Sequence, residues 1–416
     1  MSETTTVPDP AAAPHRPHTA LAVGALAMGG FAIGTTEFVS MGLLPQMARG
    51  VGATIPATGH AISAYALGVV VGAPLVAFLG SGWPRRALLV GLMALFAVGN
   101  VATALVSSYD ALLVARFVSG LPHGAFFGVA SLVAAGLARP GRQGRAVAMV
   151  MLGLSVANVL GVPAATWLGQ ELGYRAAYWL VGALGLVTLA LVLAFVPSLP
   201  GDSDAHWRRE LGALAKPQVL LTVLTGAVGF GGMFAVYTYI VPTLTEVGGL
   251  PESAAPVFLL AFGLGMVVGT WLAGELAAWS VFRSLFIGGG GQGLLLLAFS
   301  LLAPTGWWTL PVVFGITATG SILVVNLQLR LMEVAGDAQT IGATMNHVAL
   351  NIANALGAWL GGLVVAAGWG YRAPGLVGFG LSVLGLSVLV LSARLHLSER
   401  DERPAAPLGE PPSRPR

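Results

Sequence analysis

Residues 1–17 are polar and proline-rich, and beyond them the chain turns apolar in long blocks. Each block approaches the roughly 20 residues that a helix needs to cross the hydrocarbon core of a bilayer. The blocks end at charged residues or at proline and glycine breaks. The pattern predicts an all-α membrane protein of twelve spans, the first six near 18–45, 54–79, 86–107, 109–138, 143–169 and 174–197. The second six fall near 217–245, 254–279, 284–303, 308–330, 338–366 and 372–395. The longest polar interruption, 198–216, lies between spans six and seven and reads as a cytoplasmic linker. It divides an N-terminal six-helix bundle (18–197) from a C-terminal one (217–396), with disordered cytoplasmic tails at 1–17 and 397–416.

Composition closes off other classes. Hydrophobic types make up 56% of the 416 residues and charged types 9%, against about 25% charged in soluble domains. A water-exposed globular surface cannot be built from this chain. Its 58 glycines are scattered among leucine, valine and alanine, which excludes collagen-like and disordered chains. There is no cysteine, so disulfides, thiolate nucleophiles and Cys-ligated metals are excluded as well. A net charge of +3 comes from scattered loop arginines rather than a patch, which speaks against nucleic acid. With the N-terminus placed inside, only Arg49, Arg175 and Arg372 fall outside, and Arg116 lies within span four. Every other basic residue falls inside. By the positive-inside rule both termini are cytoplasmic, as expected of a multi-pass protein of the cell (inner) membrane.

The two bundles repeat one another. Gly68 and Gly72 of span two recur as Gly265 and Gly269 of span eight, 197 residues later. Pro45 and Pro242, closing spans one and seven, keep the same offset. Ala157-Asn158 and Gly161 of span five recur at an offset of 196 as Ala353-Asn354 and Gly357 of span eleven. Gly173-Tyr174-Arg175-Ala176 recurs as Gly370-Tyr371-Arg372-Ala373. Parallel six-span repeats place a substrate site at their interface near the bilayer midplane.

On these features the chain resembles the major facilitator superfamily. Within it, the stretches 34–45 and 351–362 look like those of the twelve-span drug:proton antiporters, nearest the arabinose-efflux-permease-like and chloramphenicol-exporter branches. The resemblance implies a secondary transporter working by alternating access, without cofactor. It also implies a role in proton transfer for Arg116, which fits the family's pattern of an arginine followed four residues later by glycine, here Gly120. Two departures stand out. The family's Gly-Pro pair in span five is split here as Gly161-Val162-Pro163, which weakens the implied efflux direction. The loop between spans two and three has Ser81 where the family has aspartate, and keeps only Arg85 and Arg86.

Candidate chemistry starts from Glu37, the only acidic residue deep inside a span. It precedes Pro45 by eight residues, so it lies about 12 Å below the outer exit. A carboxylate at that depth costs several kcal/mol (~3 or more) unless it is paired or protonated. That suits a group that takes up and releases a proton, or one that contacts substrate directly. A permanently protonated, hydrogen-bonded glutamate is the structural alternative. Arg116, six residues beyond Asp110, sits about 9 Å deep from the same face. Desolvation favours the protonated acid and a nearby guanidinium favours the carboxylate, so the Glu37–Arg116 separation would gate protonation. Snorkelling to the headgroups is the alternative for Arg116.

Further cavity candidates are Thr36 and Phe38 beside Glu37, the imidazoles His123 and His347, and the repeated amides Asn158 and Asn354. Asn351 and the aromatic pair Tyr237 and Tyr239 complete the set. Each has a structural reading too, as an interhelical hydrogen bonder or a packing residue. Pro163, Arg85, Arg86 and Glu275 are candidate conformational or gating residues, with Glu275 also readable as a plain interfacial charge. No histidine spacing suits a metal. The only lysine, Lys216, lacks a P-loop around it, so an ion or substrate gradient must supply the work. The expected partners are a small-molecule substrate, protons or another cation, and the bilayer, with the chain acting as a monomer. Clustered nucleophile and base, or paired carboxylates, are not visible, so an enzyme is not expected. Two pseudo-symmetric halves also differ from a channel's ring of subunits. The expected function is proton-coupled efflux of small amphipathic compounds, with import or facilitated passage of a sugar, nucleoside or other metabolite as the rival.

Overall fold

In the computed structural model, which describes residues 19–80, 82–139, 142–200, 216–336 and 339–401, the apolar blocks are helices. Span one is Thr19–Gly42 with an extension Leu44–Val51, and spans two to four are Ile55–Gly80, Arg85–Leu105 and Tyr109–Leu137. Span five joins Gln143–Val156 and Val162–Leu172 through a π-helical turn at Ala157–Gly161, and span six is Tyr174–Phe195. Span seven runs in short pieces from Pro217–Gly229 through Gly231–Thr238 and Ile240–Pro242 to Thr243–Val247. Span eight is Ala255–Trp279, preceded by a 3₁₀ turn at Glu252–Ala254. Spans eleven and twelve begin at Gln339 and Ala373.

Among the described residues, 11 uninterrupted helical runs are long and apolar enough to cross a membrane. One of them, Val281–Ala335, has 55 residues and would be about 80 Å long, more than twice the hydrocarbon thickness. It breaks at the 3₁₀ segment Ala303–Thr309, where Gly306 takes φ 62° and ψ −114°. Val281–Leu302 and Leu310–Ala335 are therefore spans nine and ten, which brings the crossings to twelve. The last helix continues to Asp401, so the first residues of the expected 397–416 tail are helical. Residues 1–18, 402–416, most of the expected linker (201–215) and Ser81 lie outside the described residues.

The sequence repeat is a structural repeat. A Cβ added to Gly68 would overlap the carbonyl oxygen of Phe117, and one on Gly265 that of Phe314. Gly72 stands in the same way against Leu121, and Gly269 against Ala318. The partners keep the same 197-residue offset as the glycines. Spans two and four, and spans eight and ten, thus pack backbone to backbone, which only residues lacking a side chain allow. The Gly-Tyr-Arg-Ala repeat has a physical cause as well. Gly173 (φ 89°) and Gly370 (φ 74°) turn the chain in the left-handed region, which glycine enters without steric cost. Each following arginine then holds the end of a neighbouring span. Arg175 donates to Val106 O at 3.2 Å, and Arg372 Nε to Ser300 O at 2.8 Å.

Helix exteriors carry exposed Leu and Val, with Trp83, Trp167, Trp271 and Trp308 among the exposed aromatics. Such a surface is a liability in water and the required surface in lipid. Spans one and twelve reach one face at Thr19 and Asp401, hereafter the terminal face. The halves meet toward the far face. Ser63 Oγ of span two donates to Ala355 O of span eleven at 3.0 Å, and Gly263 of span eight lies against the backbone of Asn158. On the terminal side, spans one and five border a cleft of about 360 Å³ lined by Met28, Phe31, Met149, Leu152 and Val156.

Candidate functional site

Arg116 is fully buried in span four and is held by neutral groups. Its Nη1 donates to Thr36 Oγ1 at 3.1 Å, and its Nη2 to the Thr36 carbonyl at 3.3 Å. The guanidinium lies 4.3 Å from the Tyr65 ring centroid and 5.4 Å from that of Tyr178, a cation–π cradle for a desolvated charge. The Thr36 hydroxyl donates a hydrogen bond to Asn100 Oδ1, and Asn100 Nδ2 donates to the Phe96 carbonyl at 2.8 Å. The Tyr178 hydroxyl meets Ser40 Oγ at 2.7 Å. Spans one, two, three, four and six all contribute. Thr36, expected in a substrate cavity, spends its hydroxyl inside this first-half network, and Arg116 does not snorkel.

Glu37 follows Thr36 by one residue and is 7% exposed. No ion pair joins it to Arg116 among the described residues. Its neighbour Phe38 packs on rings of the second half, which places Glu37 beside the seam of the halves. Phe38, next along, faces the second half, 5.7 Å from Tyr237, 6.2 Å from Phe262 and 6.4 Å from Phe234 between ring centroids. Tyr237 stacks on Phe262 at 3.7 Å, and its buried hydroxyl has no partner among the described residues. A small apolar void lies beside it, lined by Met233, Ile240, Val313 and Ile316 among others.

The two histidines are brought together across the halves. His123 Nδ1 shares a 3.0 Å hydrogen bond with the Tyr65 hydroxyl. Phe127, 5.5 Å from His123, stacks on His347 of span eleven at 6.0 Å. Asn158 Nδ2 back-bonds to Leu154 O at 3.0 Å and Asn351 Nδ2 to His347 O at 2.9 Å. Their Oδ1 atoms, and both polar atoms of Asn354, are buried without a partner among the described residues. In lipid such amides are costly unless something binds them. Tyr239 is committed elsewhere: its hydroxyl donates to Ala358 O at 3.0 Å and tethers span seven to span eleven.

Pro163 sits just beyond the π turn at Ala157–Gly161. The widened turn relieves the clash a proline ring makes with the carbonyl four residues back. Arg85 and Arg86 tie span three to the chain leaving span six. The Arg85 amide donates to Leu199 O at 2.9 Å, and the Arg86 guanidinium donates to Leu193 O. Neither contact reaches the second half. Glu275 is exposed.

Several residues went unseen in the sequence. Asn100, an amide mid-span, carried a signal in its depth alone. Tyr65, Tyr178 and Ser40 carried none. Arg330, counted among the inside loop charges, is instead 1% exposed within span ten. It pairs with Glu333 at 2.9 Å and donates to Gln218 Oε1 at 3.3 Å. On the far face Glu252 joins Arg49, Gln46 and Gln170.

A profile of the Major Facilitator Superfamily matches residues 26–350. The chain belongs to the major facilitator superfamily. It is 42% identical over 380 residues to the inner membrane transport protein YdhP of Escherichia coli (strain K12), covering 89% of this chain and 95% of the relative. It is 36% identical over 379 residues to a chloramphenicol resistance protein of Streptomyces lividans, covering 88% and 94%. Among solved structures, a bacterial homologue of the human lysosomal transporter Spinster, inward-facing and unoccupied, superposes with a TM-score of 0.71 at 15% identity, covering 93% of this chain and 99% of that one. The superposition shows the fold alone, and the family match with these relatives makes the chain a multi-pass membrane transporter of the superfamily.

Proposed function

We propose that this transporter exports small amphipathic compounds in exchange for protons, with its terminal face in the cytoplasm. The observation that carries the reading is Glu37. It is the one carboxylate buried among the described residues, beside the seam of the halves and one residue from the threonine that holds the buried Arg116. A protonated Glu37 is neutral and tolerable at that depth. An ionised Glu37 needs a cation, which Arg116 or a cationic group of the substrate supplies. Proton and substrate thus compete for one charge site, which is what obligatory exchange requires. The walls nearby are aromatic and aliphatic, with isolated amides and one phenol, as suits a compound with a large apolar surface. The 36% identity to a chloramphenicol resistance protein supports export. A proton falling through 100 mV supplies about 2.3 kcal/mol, enough for more than tenfold accumulation (about 1.4 kcal/mol per decade).

The test uses purified protein in liposomes with an acidic lumen and a trapped pH dye. Candidate compounds, chloramphenicol included, are added outside. Substrate-triggered proton release that disappears in Glu37→Gln supports exchange at span one. Substrate flux without proton movement, unchanged in Glu37→Gln, overturns the reading in favour of a facilitator.

A further inference from the structure

We propose that Glu252 is a positioning residue that holds the far face shut, through Gln46, Arg49 and Gln170, and whose release opens that face. Glu252 belongs to the second half, at the 3₁₀ turn that starts span eight. Its three partners belong to the first half and come from two segments. From the extension of span one, Gln46 Nε2 donates to Oε2 at 2.8 Å and Arg49 Nη1 to Oε1 at 3.2 Å. From the end of span five, Gln170 Nε2 donates to the Glu252 carbonyl at 2.8 Å. One residue thus ties the ends of two first-half helices to the second half. Directly beneath, Gly42 of span one is packed against Thr166 of span five and Leu259 of span eight, a closed seam.

The chemistry suits a contact that is made and broken in every cycle. Arg49 and Glu252 keep 63% and 40% of their side-chain surface exposed, so the charges can return to water with little desolvation change when the halves part. The repeat supplies no second copy, because the counterparts of Glu252 and Arg49 at the 197-residue offset are Ile55 and Glu246. Among the described residues this is the one ion pair between the halves, set above the packed seam. The inference requires alternating access, and is independent of substrate, transport direction and proton coupling.

The chain has no cysteine, so a single introduced thiol reports without background. Thr166→Cys places it in the seam, where Thr166 is 0% exposed. The full-length protein is studied in nanodiscs, where both faces meet the reagent, and the rate of maleimide labelling is followed. Labelling of T166C is slow. Adding Glu252→Ala, which removes both the ion pair and the buried Gln46 hydrogen bond to a charged acceptor, raises the rate about 5- to 30-fold, and Arg49→Glu, which breaks the exposed pair, raises it about 2- to 5-fold. Glu252→Gln, which keeps an acceptor for Gln46, falls between. The charge swap R49E/E252R restores the slow rate, with the free Gln46 Oε1 now accepting from the new arginine. Ala134→Cys, in the core of the first half at 0% exposure, stays slow throughout. Unchanged T166C labelling in E252A, no rescue by the swap, or a parallel rise of A134C that signals unfolding would each overturn the inference.

Discussion

The two halves share one backbone plan and differ in what they bury at matching places. In the first half, Thr36, Glu37, Ser40, Tyr65 and Arg116 surround the middle of the bundle. At the same offset the second half has Met233, Phe234, Tyr237, Phe262 and Val313. A polar, charged network therefore faces an aromatic and aliphatic wall, although the glycine contacts that pack spans two on four and eight on ten superimpose residue for residue. Close packing needs only small residues at fixed spacing, so both copies retain it. A buried charge needs partners converging from several helices, so a single copy suffices and the other half is free to serve as an apolar surface.

The largest expected effect breaks this division outright. Val313→Arg places a cation where Arg116 stands in the first half, with methionine and phenylalanine in place of Thr36 and Tyr65. The cost is about 3 kcal/mol or more, and folded yield on size exclusion should collapse. Next, Glu37→Gln leaves a neutral group of the same shape. Substrate-driven proton counterflow in liposomes should fall about 100-fold or more, the scale of a lost proton-transferring group. Asn100→Leu removes the acceptor of the Thr36 hydroxyl, which still accepts from Arg116 but is left with a buried donor unmatched, and this should cost about 1–3 kcal/mol in a thermal unfolding assay of purified protein. Tyr237→Phe should be the mildest. With no partner for the phenol among the described residues, stability should stay within about 1 kcal/mol of wild type. A larger loss would show that the hydroxyl is bonded in the membrane.

Much of this was legible in the chain. Apolar runs of bilayer length give the crossings, including the break between spans nine and ten, where Gly306 turns the chain. Glu37 and Arg116 announce themselves because ionisable groups are so costly in lipid that any within a span stands out. For Tyr239 the sequence left a cavity role and a structural one open, and its hydroxyl serves the Ala358 carbonyl 119 residues away. Arg330 misled, since a basic residue near the end of an apolar run looks like a loop charge. Its partner Gln218 is 112 positions distant.

Local sequence decides what is local. Hydropathy over some 20 residues sets a span, a glycine with left-handed φ sets a turn, and spacing along a helix sets depth at 1.5 Å per residue. Those rules yielded the spans, the repeat and the depth of the one acidic residue. The rotation of each helix about its axis is a different matter. It follows from packing against several neighbours at once, and no single segment records it. That rotation turned Thr36 inward to Arg116 and Asn100, left Glu37 and Phe38 at the seam, and brought Gln46, Arg49 and Gln170 onto Glu252. Only the assembled bundle could decide it, because hydrogen bonds between residues 64 to 206 positions apart depend on ångström distances that the order of residues does not contain.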